Sequence, residues 1–206
     1  MKLRAEIKSQ AKVNFSKQYG VSLGALVLYF LITAAASGLS CGIGAFLLMP
    51  PLVVGYSFFC IKVYRGETGD IGEMFSKGFN DYGRSLGGVL WMELFIFLWS
   101  LLFLIPGIIK AIAYFMTPYL LADCPNVRPT EALKLSMRMT QGYKGEIFVM
   151  ALSYIGWMLL NVLTANILYI FFVGPYMNTS FAGLYLELKQ NALEKGTVTP
   201  AELGLA

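Results

Sequence analysis

The sequence has no histidine, only three cysteines and few charged residues, and each shortage excludes a class of chemistry. Histidine is the commonest general base and the commonest metal ligand in proteins, so its absence removes both. Cys41, Cys60 and Cys124 lie far apart and form no CxxC or Cys/His cluster, which argues against a zinc or redox site. The sequence also has no nucleophile elbow, phosphate loop or carboxylate pair. We therefore expect a protein that is not an enzyme and that holds no cofactor and no metal.

Charge is scarce because long apolar runs fill the chain. Charged residues make up 14% and hydrophobic residues 57% of the 206 residues. Soluble globular domains carry about 25% charged residues. The mean hydropathy is +0.63. These values exclude an ordinary cytosolic domain, a disordered protein and a disulfide-rich secreted module, and they indicate an integral membrane protein.

Six apolar runs predict helices that cross the membrane. A helix needs about 20 residues to cross a bilayer core. The runs cover residues 21–37, 43–63, 86–105, 108–122, 147–163 and 167–188. They are continuous and do not alternate between apolar and polar residues, which argues against strands. The sequence therefore predicts an all-α fold, a polytopic membrane helix bundle of about six transmembrane helices in three hairpins, with amphipathic helices on the cytoplasmic side.

The positive charges lie on one side of this predicted bundle. Fifteen of the 16 lysines and arginines fall in residues 1–20, 62–84 and 123–146 or in the short tail 189–206, which six spans place on one side of the membrane. Segments rich in lysine and arginine stay in the cytoplasm, so we expect both termini to be cytoplasmic. A signal peptide is the alternative for the first run, with Ala34-Ala35-Ala36 as its cleavage site. The long basic stretch before this run favours a retained helix.

The chain reads as one integral-membrane domain, 1–206, built from three similar units at 1–65, 66–122 and 123–188. Each unit begins with an amphipathic stretch and returns through a span that contains proline. These prolines are Pro50 and Pro51, Pro106, and Pro175, and the aromatic pairs that follow them are Tyr56 and Phe58, Tyr114 and Phe115, and Phe181 and Tyr185. Proline is common in membrane helices, so coincidence stays the alternative to a structural repeat.

Amphipathic stretches adjoin the spans at 3–15, 70–84 and 130–141. Asp70 followed by Glu73 is typical of a helix start, and Ile71, Met74 and Phe75 begin an apolar stripe. Helices of this kind lie in the membrane interface and attract anionic headgroups, or they pack across the ends of the bundle. The basic residues on or near them are the candidate anionic-lipid contacts: Arg4, Lys8, Lys12, Lys77, Arg84, Lys134, Arg138 and Lys144.

Two charges fall outside the cytoplasmic clusters and well within the apolar runs, Glu93 in the third run and Lys110 in the fourth. A charge inside a bilayer is costly and indicates a partner or a polar site. With a turn at 106–107, Glu93 lies about 18 Å and Lys110 about 5 Å from the turn, so a direct pair requires a broken helix. The alternatives are that Lys110 reaches the outer interface and that Glu93 reaches Arg84 or Lys144. The candidate intramembrane polar site consists of these two charges and the polar residues of the last hairpin: Glu93, Lys110, Asn161, Asn166, Asn178 and Thr179. Alternatively, the asparagines and the threonine of the last hairpin form hydrogen bonds that hold helices together.

The C-terminal half carries ordered motifs that resemble a known family. They are Leu104-Ile105-Pro106-Gly107-Ile108, Pro118-Tyr119, Ala122-Asp123, Glu131-Ala132-Leu133-Lys134-Leu135-Ser136, Gly142-Tyr143-Lys144 and Leu152-Ser153-Tyr154-Ile155-Gly156-Trp157. With this pattern the chain resembles the uncharacterised bacterial integral-membrane family called domain of unknown function 975, strongly over 104–188 and more loosely over 50–84. The resemblance implies a bacterial plasma membrane and a helical membrane fold, but no activity. Cys124 departs from the pattern, in which an acidic residue is usual.

Composition and charge pattern favour a non-enzymatic membrane protein that binds, senses or helps to move a lipid or a membrane-active peptide. One alternative is a small transporter or channel with a polar site near Glu93, and another is a scaffold for a second membrane complex. The partners we expect are membrane lipids, an amphiphilic peptide or another membrane protein, and no nucleic acid.

Overall fold

A computed structural model describes residues 4–39 and 43–205, and within these two ranges the chain is helical and has no strand. Cys41 lies outside the described residues. The α-helices are α1 (Arg4–Lys17), α2 (Tyr19–Leu39), α3 (Ile43–Arg65), α4 (Ile71–Asn80), α5 (Tyr82–Leu102), α6 (Leu104–Tyr114), α7 (Thr117–Asp123), α8 (Pro129–Met139), α9 (Lys144–Leu152), α10 (Ile155–Leu163) and α11 (Gly174–Glu194). A π-helical turn, Tyr169–Val173, leads into α11, and a 3₁₀ turn, Ala201–Leu203, follows it. The predicted all-α fold is confirmed.

Five helical segments of the described chain are long and apolar enough to cross a membrane. They are Tyr19–Leu39, Phe46–Arg65, Tyr82–Leu102, Leu104–Asp123 and Lys144–Leu163. These segments correspond to the first five predicted spans, and they make the chain a membrane-spanning protein. The sixth predicted span, 167–188, is not among them, because it coincides with the π-helical turn and α11, which is more polar than the other spans.

α11 is more polar than the other predicted spans, and it is surrounded by other helices. Its Ser180, Lys189 and Asn191 are all buried, as are most of the apolar residues between them. The Ser180 hydroxyl donates to the Tyr176 carbonyl at 2.8 Å, and the Asn191 amide donates to the Glu187 carbonyl at 2.9 Å. Each bond satisfies a polar group that would be costly to bury alone. The sixth run is thus a helix as predicted, but a central one whose polar side chains are paired within the protein.

Two of the five segments consist of two helices each. α6 ends at Tyr114 and α7 begins at Thr117, directly before Pro118, which has no backbone N–H to continue the helical pattern. The Ala113 carbonyl near this break accepts a hydrogen bond of 2.7 Å from the buried hydroxyl of Ser136 on α8. The predicted span 108–122 is therefore broken near its middle, and α8 packs against the break.

The amphipathic helices pack into one core at the end of the bundle that carries the positive charge. Their buried apolar positions are Ile7, Ala11 and Phe15 on α1, Met74 on α4, and Ala132, Leu135 and Met139 on α8. α4 begins as predicted, since the Asp70 carboxylate accepts the Glu73 backbone N–H at 3.0 Å. Because the core covers these apolar stripes, packing across the bundle accounts for the amphipathic pattern.

α3 and α4 cross with their backbones in direct contact. A Cβ atom on Gly55 would lie 2.1 Å from the Met74 carbonyl oxygen, and one on Gly78 would lie 2.2 Å from the Pro51 carbonyl oxygen. Real Cβ atoms do not approach so closely, so both positions require glycine. These contacts hold α4 against the middle of α3, around Pro51 and Gly55.

The other half of the bundle presents large apolar side chains to its surroundings. Leu39 is 90% exposed at the end of α2, Leu101 is 73% exposed on α5, and Leu163 is 81% exposed at the end of α10. An exposed apolar surface of this kind is what a membrane-spanning protein turns toward lipid.

Candidate functional site

A cavity of about 600 Å³ lies between α2, α3, α6, α7, α9 and α11. Its walls are mostly aromatic and aliphatic, and no charged side chain is among its described lining residues. The lining residues are Leu26, Tyr29, Phe30, Val53, Tyr56, Ser57, Ile108, Ala111, Ile112, Phe115, Pro118, Tyr119, Ile147, Phe148, Ala151, Tyr169, Asn178 and Phe181. The arrangement suits an apolar or weakly polar guest.

Aromatic rings on different helices hold the cavity walls in place. The Tyr29 ring of α2 packs on the Tyr56 ring of α3 with centroids 5.7 Å apart. On the opposite side, the Phe115 ring meets the Phe181 ring of α11 edge to face at 6.0 Å. Ring pairs of this geometry add to the stability that burial alone gives. The cavity is therefore bounded by side chains that support one another across helices.

A few uncharged polar groups reach the cavity. Within the described chain, the Tyr29 and Tyr119 hydroxyls form no hydrogen bond, so both are available to a guest. The Asn178 amide donates to the Gly174 carbonyl at 2.8 Å, which leaves its side-chain oxygen as an acceptor. Ligand sites typically combine an apolar wall with a small number of such groups.

The polar residues predicted for the last hairpin do not form one site. Asn178 lines the cavity, and Thr179 is buried beside it, next to Cys60 of α3. Asn161 is buried at the end of α10, and its side-chain oxygen has no partner among the described residues. Asn166 lies in the turn after α10 with a φ of 65°, in the left-handed region that asparagine tolerates. Only Asn178 therefore belongs to the cavity.

Glu93 and Lys110 do not meet, and neither of them lines the cavity. Glu93 is exposed on α5 and forms no ion pair or hydrogen bond with the residues that the structure describes. The Lys110 amine lies 4.9 Å from the centre of the Trp99 ring and 5.6 Å from that of Tyr114, and 3.9 Å from the sulfur of Met137. Two aromatic faces thus take the place of an anionic partner for Lys110.

Arg84 is committed to the protein backbone. Its guanidinium donates to the carbonyls of Leu121 at 2.8 Å, Cys124 at 2.6 Å and Val127 at 2.8 Å. These carbonyls belong to the end of α7 and to the loop that follows, where helical partners are missing. Arg84 therefore closes the end of α7, which leaves it little capacity for a lipid headgroup.

Lys8 and Arg138 are also engaged within the protein. The Lys8 amine donates to the Ser153 hydroxyl at 2.5 Å and lies 4.0 Å from the centre of the Tyr154 ring. Burial lowers the pKa of Lys8, and the charge of Arg4 lowers it further. Arg138 pairs with Glu202 at 2.6 Å and, chiefly through this hydrogen bond, lowers the pKa of Glu202 to about 2.

The remaining candidate lipid contacts lie at the surface. Arg4, Lys12, Lys77 and Lys134 are exposed, and Lys144 is half-buried. Lys77 lies 5.4 Å from the centre of the Phe58 ring. Their role as headgroup contacts stays a prediction.

Sequence reasoning missed a buried charge cluster at the basic end. The Asp123 carboxylate pairs with Lys189 at 2.5 Å and with Arg65 at 3.2 Å, and it accepts the Tyr185 hydroxyl at 2.9 Å. The cluster ties α3, α7 and α11 together. Tyr185 and Lys189 are four residues apart, so they share a helix face. The predicted last span ended at residue 188. A span that continued to Lys189 would have predicted that Tyr185 and Lys189 lie on one face of the same helix.

Most of the cavity aromatics were also not predicted as site residues. Tyr56, Phe115 and Phe181 belong to the aromatic pairs that follow the prolines, so the sequence carried a signal for them. Tyr29 and Tyr169 have no such signal, because they lie in runs that are aromatic throughout. Their convergence depends on how six helices pack.

The C-terminal half of the chain matches a known family. Residues 101–192 match the family described as Protein of unknown function (DUF975). The chain carries a DUF975 segment. Twelve of the 18 cavity-lining residues fall within the DUF975 segment, including those of α6, α7, α9 and α11. No curated protein and no solved structure matches the chain significantly.

Proposed function

We propose that this membrane protein binds a neutral amphiphile, such as a lipid without net charge, in the cavity and catalyses no reaction on it. The observation that carries the proposal is the uncharged, aromatic lining of a cavity of about 600 Å³. Ligand sites are mostly apolar and typically about 300–1,000 Å³ in volume. A charged group placed inside would lose its hydration without gaining a partner, which selects for a neutral guest.

An amphiphile has a route into the cavity from the bilayer. Phe30 is 37% exposed, Ile108 is 44% exposed and Phe148 is 47% exposed, and all three line the cavity. They belong to α2, α6 and α9, so the cavity opens sideways between these helices. A guest dissolved in lipid therefore enters without crossing the water phase.

The polar groups of the cavity provide orientation. An apolar tail fills the space between the aromatic walls, and a hydroxyl or carbonyl on the guest bonds to Tyr29, Tyr119 or Asn178. These three groups are neutral at physiological pH, so they favour an ester, an alcohol or a quinone-type carbonyl over a phosphate.

The same proposal places the protein in the bacterial plasma membrane with both termini in the cytoplasm. Its support is the position of 15 of the 16 lysines and arginines on one side of the spans. A transport function depended on a polar site near Glu93. Glu93 does not line the cavity, so transport is not the function that we propose.

The test is to fill the cavity by one substitution and to measure retention of a neutral lipid. Ala111→Phe adds a ring to the cavity wall, and Ala34→Phe makes the same change at an exposed position of α2 outside the cavity. Both variants and the parent protein, in mild detergent, are titrated with dioleoylglycerol, and bound lipid is counted by native mass spectrometry. We expect Ala111→Phe to lose the adduct and Ala34→Phe to keep it. Equal retention by all three proteins would show that the cavity is not the binding site.

A further inference from the structure

A second surface, on the other side of the bundle, combines apolar grooves with unpaired positive charge. Two adjoining grooves, of about 580 Å³ and 540 Å³, lie where α8 crosses α5. Trp91 and Thr130 line both grooves, so the indole of Trp91 forms the ridge between them. No residue of this surface lines the cavity described above.

Two cations border the grooves without an acidic partner. Arg128 lines the first groove and Lys134 the second, and both side chains are exposed. In the described parts of the chain, neither side chain forms an ion pair or a hydrogen bond. Four other basic residues do form ion pairs: Lys62, Arg65, Arg138 and Lys189.

Two carboxylates, those of Glu131 and Glu202, line a neighbouring groove together with Lys134, and among the described residues neither forms an ion pair with it. Glu131 lies between the two cations in sequence, and its side chain accepts the backbone N–H of Arg128 at 3.4 Å. This bond directs Glu131 to the start of α8. Arg128 and Lys134 outnumber Glu131, and Glu202 is paired with Arg138, so the net charge of the surface is positive and suits an anionic ligand.

The surface lies near the start of α5, which is an apolar segment long enough to cross a membrane. Pro129 lies 3.9 Å from the Cβ position of Gly87, which fixes the start of α8 about 8 Å along α5 from Tyr82. Deeper along α5, Leu94 is 42% and Leu98 is 45% exposed, so acyl chains find an apolar wall there. Trp91, itself exposed, lies between the charged and the apolar part, the level at which tryptophan is enriched in membrane proteins.

We propose that this surface binds one anionic phospholipid. Its phosphate lies between Arg128 and Lys134 and accepts a hydrogen bond from the Thr130 hydroxyl, while its two acyl chains run along the two grooves on either side of Trp91. Charge complementarity selects an anionic headgroup, and the paired grooves select a two-chain lipid over a free phosphate. Each cation near a membrane surface contributes to anionic-lipid binding, and two together favour it by about 30-fold.

The test compares two charge-matched double variants of the full-length protein in detergent. Arg128→Gln with Lys134→Gln removes the two cations that line the grooves, and Lys17→Gln with Lys195→Gln removes two exposed cations outside them. Dioleoylphosphatidylglycerol and dioleoylphosphatidylcholine serve as anionic and zwitterionic probes, and glycerol phosphate serves as a headgroup without chains. Native mass spectrometry gives the occupancy of each.

We expect the parent protein and the Lys17/Lys195 variant to retain one phosphatidylglycerol with about 30-fold preference over phosphatidylcholine, and the Arg128/Lys134 variant to lose that preference. Glycerol phosphate is expected not to displace the lipid. Equal loss of preference in both variants, no loss in either, or displacement by glycerol phosphate would overturn the proposal. Unchanged dioleoylglycerol binding by the Arg128/Lys134 variant shows that it is folded. If neither the parent protein nor the variants bind dioleoylglycerol, the proposed cavity function is wrong. In that case an unchanged elution volume in gel filtration shows that the Arg128/Lys134 variant is folded, and the test of the anionic-lipid surface still holds.

Discussion

Arg84 joins two parts of the molecule that are far apart in sequence, because one guanidinium bonds to three carbonyls between residues 121 and 127. Replacing it with alanine leaves these half-buried carbonyls without their charged donor. Hydrogen bonds to charged groups are each worth about 1.5–3 kcal/mol, so we expect Arg84→Ala to lower the free energy of unfolding by about 3 kcal/mol. Heating the purified protein in detergent and measuring the fraction that remains monodisperse gives the change in apparent melting temperature.

Arg4→Ala is the matched control for this change. Arg4 is exposed on α1, and surface substitutions of this kind alter stability by about 0.5 kcal/mol or less. If the two variants melted at the same temperature, the role that we give to Arg84 would be wrong.

Sequence reasoning at the residue scale was strongest where a rule is local. Asp70 starts α4 as predicted, because the bond from its carboxylate to the Glu73 N–H depends only on residues three apart. The partners of Arg84 could not be found this way, since they lie about 40 residues away. The same holds for Asp123 and Lys189, which come from different helices.

At the scale of elements, the crossing of α3 and α4 gives a sharp prediction. A methyl group at Gly78 would lie 2.2 Å from the Pro51 carbonyl oxygen, so one of the two backbones has to move. Overpacking of this kind costs about 1–3 kcal/mol, and we expect Gly78→Ala to destabilise the protein by at least the upper end of that range. Apparent melting temperature in detergent, measured for the purified variant, tests this value.

Gly83→Ala provides the control, since Gly83 lies in α5 with no atom within 4 Å of its Cβ position. Alanine is the better helix former by roughly 0.5–1 kcal/mol, so Gly83→Ala is expected to raise the melting temperature slightly. A stable Gly78→Ala variant would mean that α4 does not cross α3 as closely as described.

Helices with a large lipid-facing surface were easier to predict from the sequence than the helix that protein encloses. The five apolar segments stand out in the sequence because a bilayer imposes length and hydropathy on every residue that it touches. α11 is enclosed by protein, so its buried Ser180 and Asn191 obey hydrogen-bonding rules instead. Its start within the sixth run was therefore visible, but its polar extension to Glu194 was not.

At the scale of the whole molecule, the candidate cavity lies beyond what sequence patterns reach. Its lining comes from six helices, and neighbouring residues in space such as Phe30 and Tyr169, whose ring centres are 6.1 Å apart, are far apart in sequence. Periodicity tells which face of a helix is apolar, but not which two apolar faces meet. The three-unit division of the chain stays a prediction for the same reason, because similar units need not pack in a similar way.

The orientation that we propose for the whole bundle rests on the positions of its basic residues and can be tested directly. Leu39 and Phe103 lie at the end with exposed apolar side chains, whereas Lys17 and Gln141 lie at the basic end. After Cys41→Ser, with Cys60 and Cys124 buried, single cysteines at these four positions are treated with a membrane-impermeant maleimide. In intact cells we expect labelling of Leu39→Cys and Phe103→Cys alone, and labelling of Lys17→Cys and Gln141→Cys only after permeabilisation, because we propose that the basic end faces the cytoplasm. Labelling of Gln141→Cys in intact cells would reverse the orientation, and it would move the surface around Arg128 and Lys134 to the outer leaflet.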